Sequence, residues 1–149
     1  EGEEIRDIIP DDKAVVVVCA HGGSSDVVVD VVGADNMHNL SGGMDAWSVT
    51  LVPRTVYDDG EHFVLQIDRV AKACLSYVVG ARNKNMAVID PSADAKFYLM
   101  MAERMGANIT DIFDTHLHAD HISLANELRD LTGATGVASG LPERKEERR

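Results

Sequence analysis

The chain opens with an acidic stretch over residues 1–12 that ends in Pro10-Asp11-Asp12 and reads as a surface lead-in. Ala14 to Cys19 is an unbroken apolar run rich in Val, the pattern of a strand buried on both faces. A small-residue loop, His21-Gly22-Gly23-Ser24-Ser25, follows it. Asp26 to Val32 reads two ways: its β-branched valines favour a strand, while a Ser-Asp start suits a helix cap. Met37 to Leu40 is a candidate short strand, Ser41-Gly42-Gly43 a turn, and Met44 to Val49 one or two helical turns around Trp47. Val52-Pro53-Arg54 marks a change of character and a candidate domain junction.

Beyond it, Phe63, Leu65 and Ile67 alternate with Val64 and Gln66 as in a strand. Leu75–Val79 and Met86–Ile89 are two more strands around the polar turn Arg82-Asn83-Lys84-Asn85. Asp90-Pro91-Ser92 ends the second and opens a helix. In that helix Phe97, Met100, Met101 and Met105 recur at helical spacing as core filling, and Gly106 closes it. Ile109–Thr115 is again a strand, and Ile122, Ala125, Leu128 and Leu131 form the apolar face of a following helix. The stretch from Pro142 to Arg149 is almost wholly charged and is expected to fray.

At 149 residues the chain has room for one ordinary domain or two small ones. Its 45% hydrophobic and 26% charged residues are the balance of a soluble globular protein. The apolar runs fall far short of the ~20 residues a membrane span needs, and no secretion signal is visible at the start. Two cysteines are too few for a disulfide framework, so a reducing cytoplasm is the expected location. A net charge of −11 argues against nucleic acid as a partner, because phosphate binding needs clustered Lys and Arg. The acid excess is mostly Asp, 16 of 25, and fits either a salt-adapted source or an ordinary acidic protein.

The strongest chemical signal is Thr115-His116-Leu117-His118-Ala119-Asp120-His121, directly after a strand. In extended chain, residues two apart point the same way, so His116 and His118 can approach one cation together. Asp120 and His121 follow where the chain turns, displaced enough to serve a second cation or a reacting water. Imidazole and carboxylate suit zinc or iron, and an incomplete protein ligand set leaves a position open for substrate.

His116-x-His118-x-Asp120-His121 resembles the signature of the metallo-β-lactamase fold superfamily. With Cys74–Gly80, Ala87-Val88-Ile89-Asp90-Pro91 and Asp114–Ser123 around it, the text from about Tyr57 to Gly140 is similar to the persulfide dioxygenase branch, close to glyoxalase II-type thioesterases. The resemblance implies an αββα sandwich with a metal site at one edge of two packed sheets. It implies His116, His118, Asp120 and His121 as the metal site, with Asp120 also catalytic: all four are ligands in the two-metal hydrolases, while in the dioxygenases His116 is the ligand and the other three lie nearby. One Fe(II) per site is expected for a dioxygenase and two Zn(II) for a thioesterase. Both branches add a later His and Asp, and no His follows His121, so an incomplete site and a truncated form are expected. Leu124 stands where relatives usually carry Gly, and His21, His38 and His62 match no ligand position.

Cys19 closes a strand and precedes the small-residue loop, a setting in which backbone N–H groups can stabilise a thiolate. Val15–Cys19, this loop and Asn39-Leu40-Ser41-Gly42-Gly43-Met44-Asp45-Ala46-Trp47 resemble the C-terminal half of a rhodanese domain. That resemblance implies Cys19 as a persulfide carrier and makes residues 26–33 a helix. Ser24 and Ala20 stand where active rhodaneses often carry Arg, which leaves the loop less positive. Cys74, within a strand, reads as core.

The fold class expected is therefore α/β: a partial rhodanese-like unit over 1–52, then a partial metallo-β-lactamase sandwich over 53–149, with a charged tail from 142. The function expected is persulfide dioxygenation on a low-molecular-weight persulfide. Thioester hydrolysis of the glyoxalase II type is the alternative. A non-catalytic sulfur- or metal-binding fragment is a third reading, of another class. No membrane partner is expected. Half-domains leave sheet edges and core faces open, which is compatible with a homo-oligomer.

Overall fold

The computed structural model describes residues 5–119 and 121–138. The chain divides into two compact units, Glu1–Thr50 and Leu51–Arg149.

In the first unit, strand β1 (Val15–Val17) pairs in parallel with β2 (Met37–Asn39), and helix α1 (Gly23–Val32) makes the crossover between them. A short helix α2 (Gly43–Ser48) follows. Residues 26–32 are thus helical despite their valines. Two parallel neighbours need a crossover long enough for a helix, which overrides the weak strand propensity of Val. Gly22 and Gly33, both left-handed, bound the helix, and the Gly33 N–H bonds the Val29 carbonyl. Ser25 and Val32 are buried at helical spacing, while Val27, Val28 and Val31 are exposed. The apolar run at Ala14–Cys19 is not buried on both faces: Val16 and Val18 are 56% and 43% exposed. The sheet of this unit has two strands, with α1 packed against both and Val16 exposed.

The second unit is a six-stranded sheet in the order β3 (Leu51–Asp58), β4 (His62–Arg69), β5 (Cys74–Ala81), β6 (Asn85–Ile89), β7 (Asn108–Asp114), β8 (Thr135–Ala138). The first three pairings are antiparallel and the last two parallel. Helix α3 (Ala95–Met105) connects β6 to β7, and α4 (Ala125–Thr132) connects β7 to β8. The expected alternation holds on β4: Phe63, Leu65 and Ile67 are buried, in register with Gly80, Val78 and Ser76 of β5. Gly80 lets β6 approach this closely because it has no Cβ; one there would lie 2.6 Å from both the Asn85 carbonyl oxygen and the Met86 Cβ.

These strand residues, with Val88, Ile112, Tyr98, Met101 and Leu128, form one core on the helix-bearing face. Three helix details differ from the sequence pattern. Helix α3 starts at Ala95, capped by Asp94, whose carboxylate accepts the Lys96 N–H at 2.9 Å; Asp90–Ser92 is a separate turn. Its core face runs through Ala95, Tyr98, Met101 and Ala102, while Met100 is 45% exposed. Leu128 carries the buried face of α4; Ile122 precedes the helix and, like Leu131, is exposed. Strand β3 gave no alternation signal because it is an edge strand with none of its residues buried. The short edge strand β8 was likewise not anticipated. The charged tail from Pro142 lies outside the described residues.

Candidate metal centre

Strands β6 and β7 are parallel neighbours, so their C-terminal ends lie side by side, where open α/β sheets place their ligands. Asp90 leaves the end of β6 and His116 follows the end of β7. Asp90 is 8% exposed and holds φ 53, with its N–H bonded to the Phe113 carbonyl at 2.8 Å. Its Oδ1 accepts the Thr115 N–H at 2.7 Å, and its Oδ2 accepts the Thr115 hydroxyl at 2.7 Å. His118 Nε2 lies 3.1 Å from Asp90 Oδ1 and 3.8 Å from Asp114 Oδ1. Burial pushes the Asp90 carboxyl up, but the Thr115 N–H and hydroxyl and His118 outweigh it, so the group sits below its ordinary value.

The protons can be placed. The Thr115 hydroxyl has one hydrogen and gives it to Asp90, so His116 Nδ1, 2.8 Å from that oxygen, is the donor. His116 Nε2 then keeps its lone pair for a cation. At His118 the Asp90 carboxylate holds one ring nitrogen, Nε2, and so fixes the tautomer and aim of the other, the usual support of a metal-binding imidazole. Asp90, His116 and His118 each offer one ligand atom, all within 4.8 Å of one another. That donor set of two nitrogens and a carboxylate fits zinc or iron. The ring of His116 lies 4.2 Å from that of His118, and the ring of His118 lies 4.3 Å from that of His121, centroid to centroid.

Of the predicted ligands, the structure brings the donor atoms of His116 and His118 together and sets the ring of His121 beside that of His118, outside the three-donor group. Asp120 lies outside the described residues. Asp90 was not singled out from the sequence. Its signal was an Asp-Pro directly after an apolar strand, which reads as a turn as readily as a ligand. Ser123 accepts the Ala125 N–H at 3.1 Å and donates to Asp114, which ties the start of α4 to the end of β7. A cleft of about 320 Å³ opens beside His121, lined by Arg69, Lys72, Ala93, Ile122 and Leu124.

This site sits in a stretch matched by the metallo-beta-lactamase superfamily profile, which covers residues 69–147. The chain belongs to the metallo-beta-lactamase superfamily. Its α/β fold is that of a partial sandwich of this superfamily, whose members are generally hydrolytic or oxidoreductive zinc or iron enzymes. Among solved structures, a metallo-beta-lactamase from Staphylococcus aureus subsp. aureus COL is 24% identical, with TM-score 0.43, over 64% of this chain and 24% of that one. ETHE1 from Myxococcus xanthus is 28% identical, with TM-score 0.36, over 57% of this chain and 34% of that one. The chemotaxis sensor ODP from T. denticola is 17% identical, with TM-score 0.43, over 58% and 36%. The chain therefore spans about a quarter to a third of the length of the structures it matches. No curated protein matches it.

In the first unit, Cys19 Sγ accepts the Gly22 N–H at 3.1 Å and lies 3.2 Å from the Ser25 hydroxyl. These contacts, Ser25 foremost and then the backbone N–H groups, lower its thiol from 9.0 to about 6. Ser25 has one proton and Asn39 Oδ1 lies nearer, at 2.7 Å, so the backbone amides are the steadier part of this stabilisation. The start of α2 closes over the loop: Met44 and Asp45 N–H groups bond the Cys19 and Ala20 carbonyls at 2.9 and 3.1 Å. Gly43 makes that approach feasible, since a Cβ there would sit 2.3 Å from the Cys19 carbonyl oxygen. Cys74, at the start of β5, is partly buried.

Proposed function

We propose that the chain is part of a persulfide dioxygenase: one iron at Asp90, His116 and His118, acting on a low-molecular-weight persulfide. The observation that carries this reading is that the described residues gather a single three-donor group, which suits a mononuclear centre. The persulfide-dioxygenase-like text around the motif, from Cys74 to Ser123, supports the substrate class. Iron held there would supply the redox chemistry between dioxygen and sulfur. The balance is one persulfide, one dioxygen and one water giving one thiol and one sulfite. In this reading Asp90 and Thr115 orient the imidazoles, Asp120 takes part in the reaction, and Arg69 and Lys72 face an anionic substrate across the cleft. The first unit serves as a rhodanese-like sulfur carrier, with Cys19 as the persulfide-bearing thiolate.

The second reading is two-zinc thioester hydrolysis, favoured by a third imidazole, His121, whose ring lies 4.3 Å from that of His118 and would serve a second ion. Loading the protein with Fe(II) or Zn(II) and following both reactions separates them. Oxygen uptake matched by sulfite on a persulfide, with iron alone, is the expected result. Thioester cleavage by the zinc form without oxygen uptake by the iron form would overturn it.

A further inference from the structure

The turn that presents Asp90 is backbone-strained twice, with Asp90 at φ 53 and Ala93 at φ 70, a region that side chains other than glycine rarely adopt. Such a turn persists only where its surroundings hold it. Two backbone bonds do part of this: Asp90 N–H to the Phe113 carbonyl, and Leu124 N–H to the Pro91 carbonyl at 3.0 Å. The third tie comes from inside the core. Tyr98 of α3 is fully buried, and its Oη accepts the Ser92 N–H at 3.1 Å. The same oxygen lies 2.7 Å from Ser76 Oγ of β5 and 3.4 Å from the Ser92 carbonyl.

One arrangement satisfies every group: Ser76 donates to Tyr98, and Tyr98 donates to the Ser92 carbonyl while accepting the Ser92 N–H. Both serines are fully buried, so an unmade bond would have no water to replace it. Strand β5, helix α3 and the Asp90 turn therefore meet at one phenolic oxygen. A ring that served only to fill the core would need no hydroxyl.

We propose that Tyr98 is a positioning residue for the metal centre, its hydroxyl clamping Ser92 and thereby setting the Asp90 carboxylate against Thr115 and His118. This rests on the reading of Asp90, His116 and His118 as the metal-binding set. Tyr98→Phe keeps the ring and removes the clamp. The readout is hydrogen exchange of the Thr115 amide, which Asp90 holds at 2.7 Å. Its exchange is expected to quicken about ten-fold, while the β4–β5 ladder amides keep their protection. Co(II) affinity falls by a similar factor, with a changed visible spectrum at saturation. Unchanged Thr115 exchange, or acceleration shared equally by the ladder, would overturn the proposal. Should Tyr98→Phe fail to fold, Ser76→Ala decides it, with a smaller change in the same direction expected and no change at Thr115 contrary to it. If the parent protein binds no Co(II), the metal reading fails, and Thr115 exchange still decides whether the clamp exists.

Discussion

Asp90 holds both Thr115 donors and faces His118, so replacing it by Asn exchanges a charged acceptor for a neutral amide at the hub of the site. Even an outer partner of a metal-binding imidazole is worth about ten- to a hundred-fold in affinity, and Asp90 is itself one of the three donors. Asp90→Asn is expected to weaken Zn(II) binding by that range in competition with a chelator, and His118→Ala by at least as much. Cys19 gives a pH-dependent counterpart. Its thiol is lowered to about 6 in the fold. Its stabilisation is therefore full above the ordinary thiol value, and is lost as pH falls through about 6. Iodoacetamide labelling of Cys19 should be half-maximal near pH 6, and Ser25→Ala should move the midpoint upward. A midpoint at the ordinary thiol value would refute this.

At the scale of elements, Leu128 is the one fully buried residue of helix α4, with Leu124 and Ala125 partly buried against the core and Leu131 57% exposed. Leu128→Ala removes that anchor and should cost about 2–5 kcal/mol in urea unfolding of the second unit. Because α4 follows the histidine turn and is tied to β7 through Ser123 and Asp114, the same variant should also loosen His121. Its imidazole resonances are expected to broaden in the NMR spectrum. The valine-rich α1 teaches the complementary lesson. Its strand propensity is a weak local term, and the parallel pairing of Val15 with Met37 decides against it.

Across the whole molecule, the two units carry unequal cores. The first buries Val32 and Met37 among its large apolar side chains, whereas the second encloses Phe63, Leu65, Ile67, Val78, Val88, Tyr98, Met101, Ile112 and Leu128. Buried apolar area is the main favourable term in folding, so the first unit should unfold at lower denaturant. The single Trp, Trp47, lies in that unit and reports on it alone. Its fluorescence is expected to change at lower urea than the circular dichroism of the six-stranded sheet. Coincident transitions would show one cooperative body. No helix among the described residues is long and apolar enough to cross a membrane.

The sequence by itself determined β4, whose side chains alternate because burial of one face leaves a period of two, and it marked β5 and β6 as short apolar runs on either side of a polar turn. It also determined the histidine cluster, since ligands two apart in the chain need no long-range information to be neighbours, although the structure holds them in a bend after β7 rather than on extended chain. Only the tertiary structure decided the rest. Asp90 joins His116 and His118 across 26 and 28 residues of sequence because parallel pairing brings the ends of β6 and β7 together. Edge strand β3 left no pattern, for it buries no continuous face. The Ser76–Tyr98–Ser92 contact, too, is invisible in a list of residues: it exists because three elements meet where no water can substitute for a missing bond.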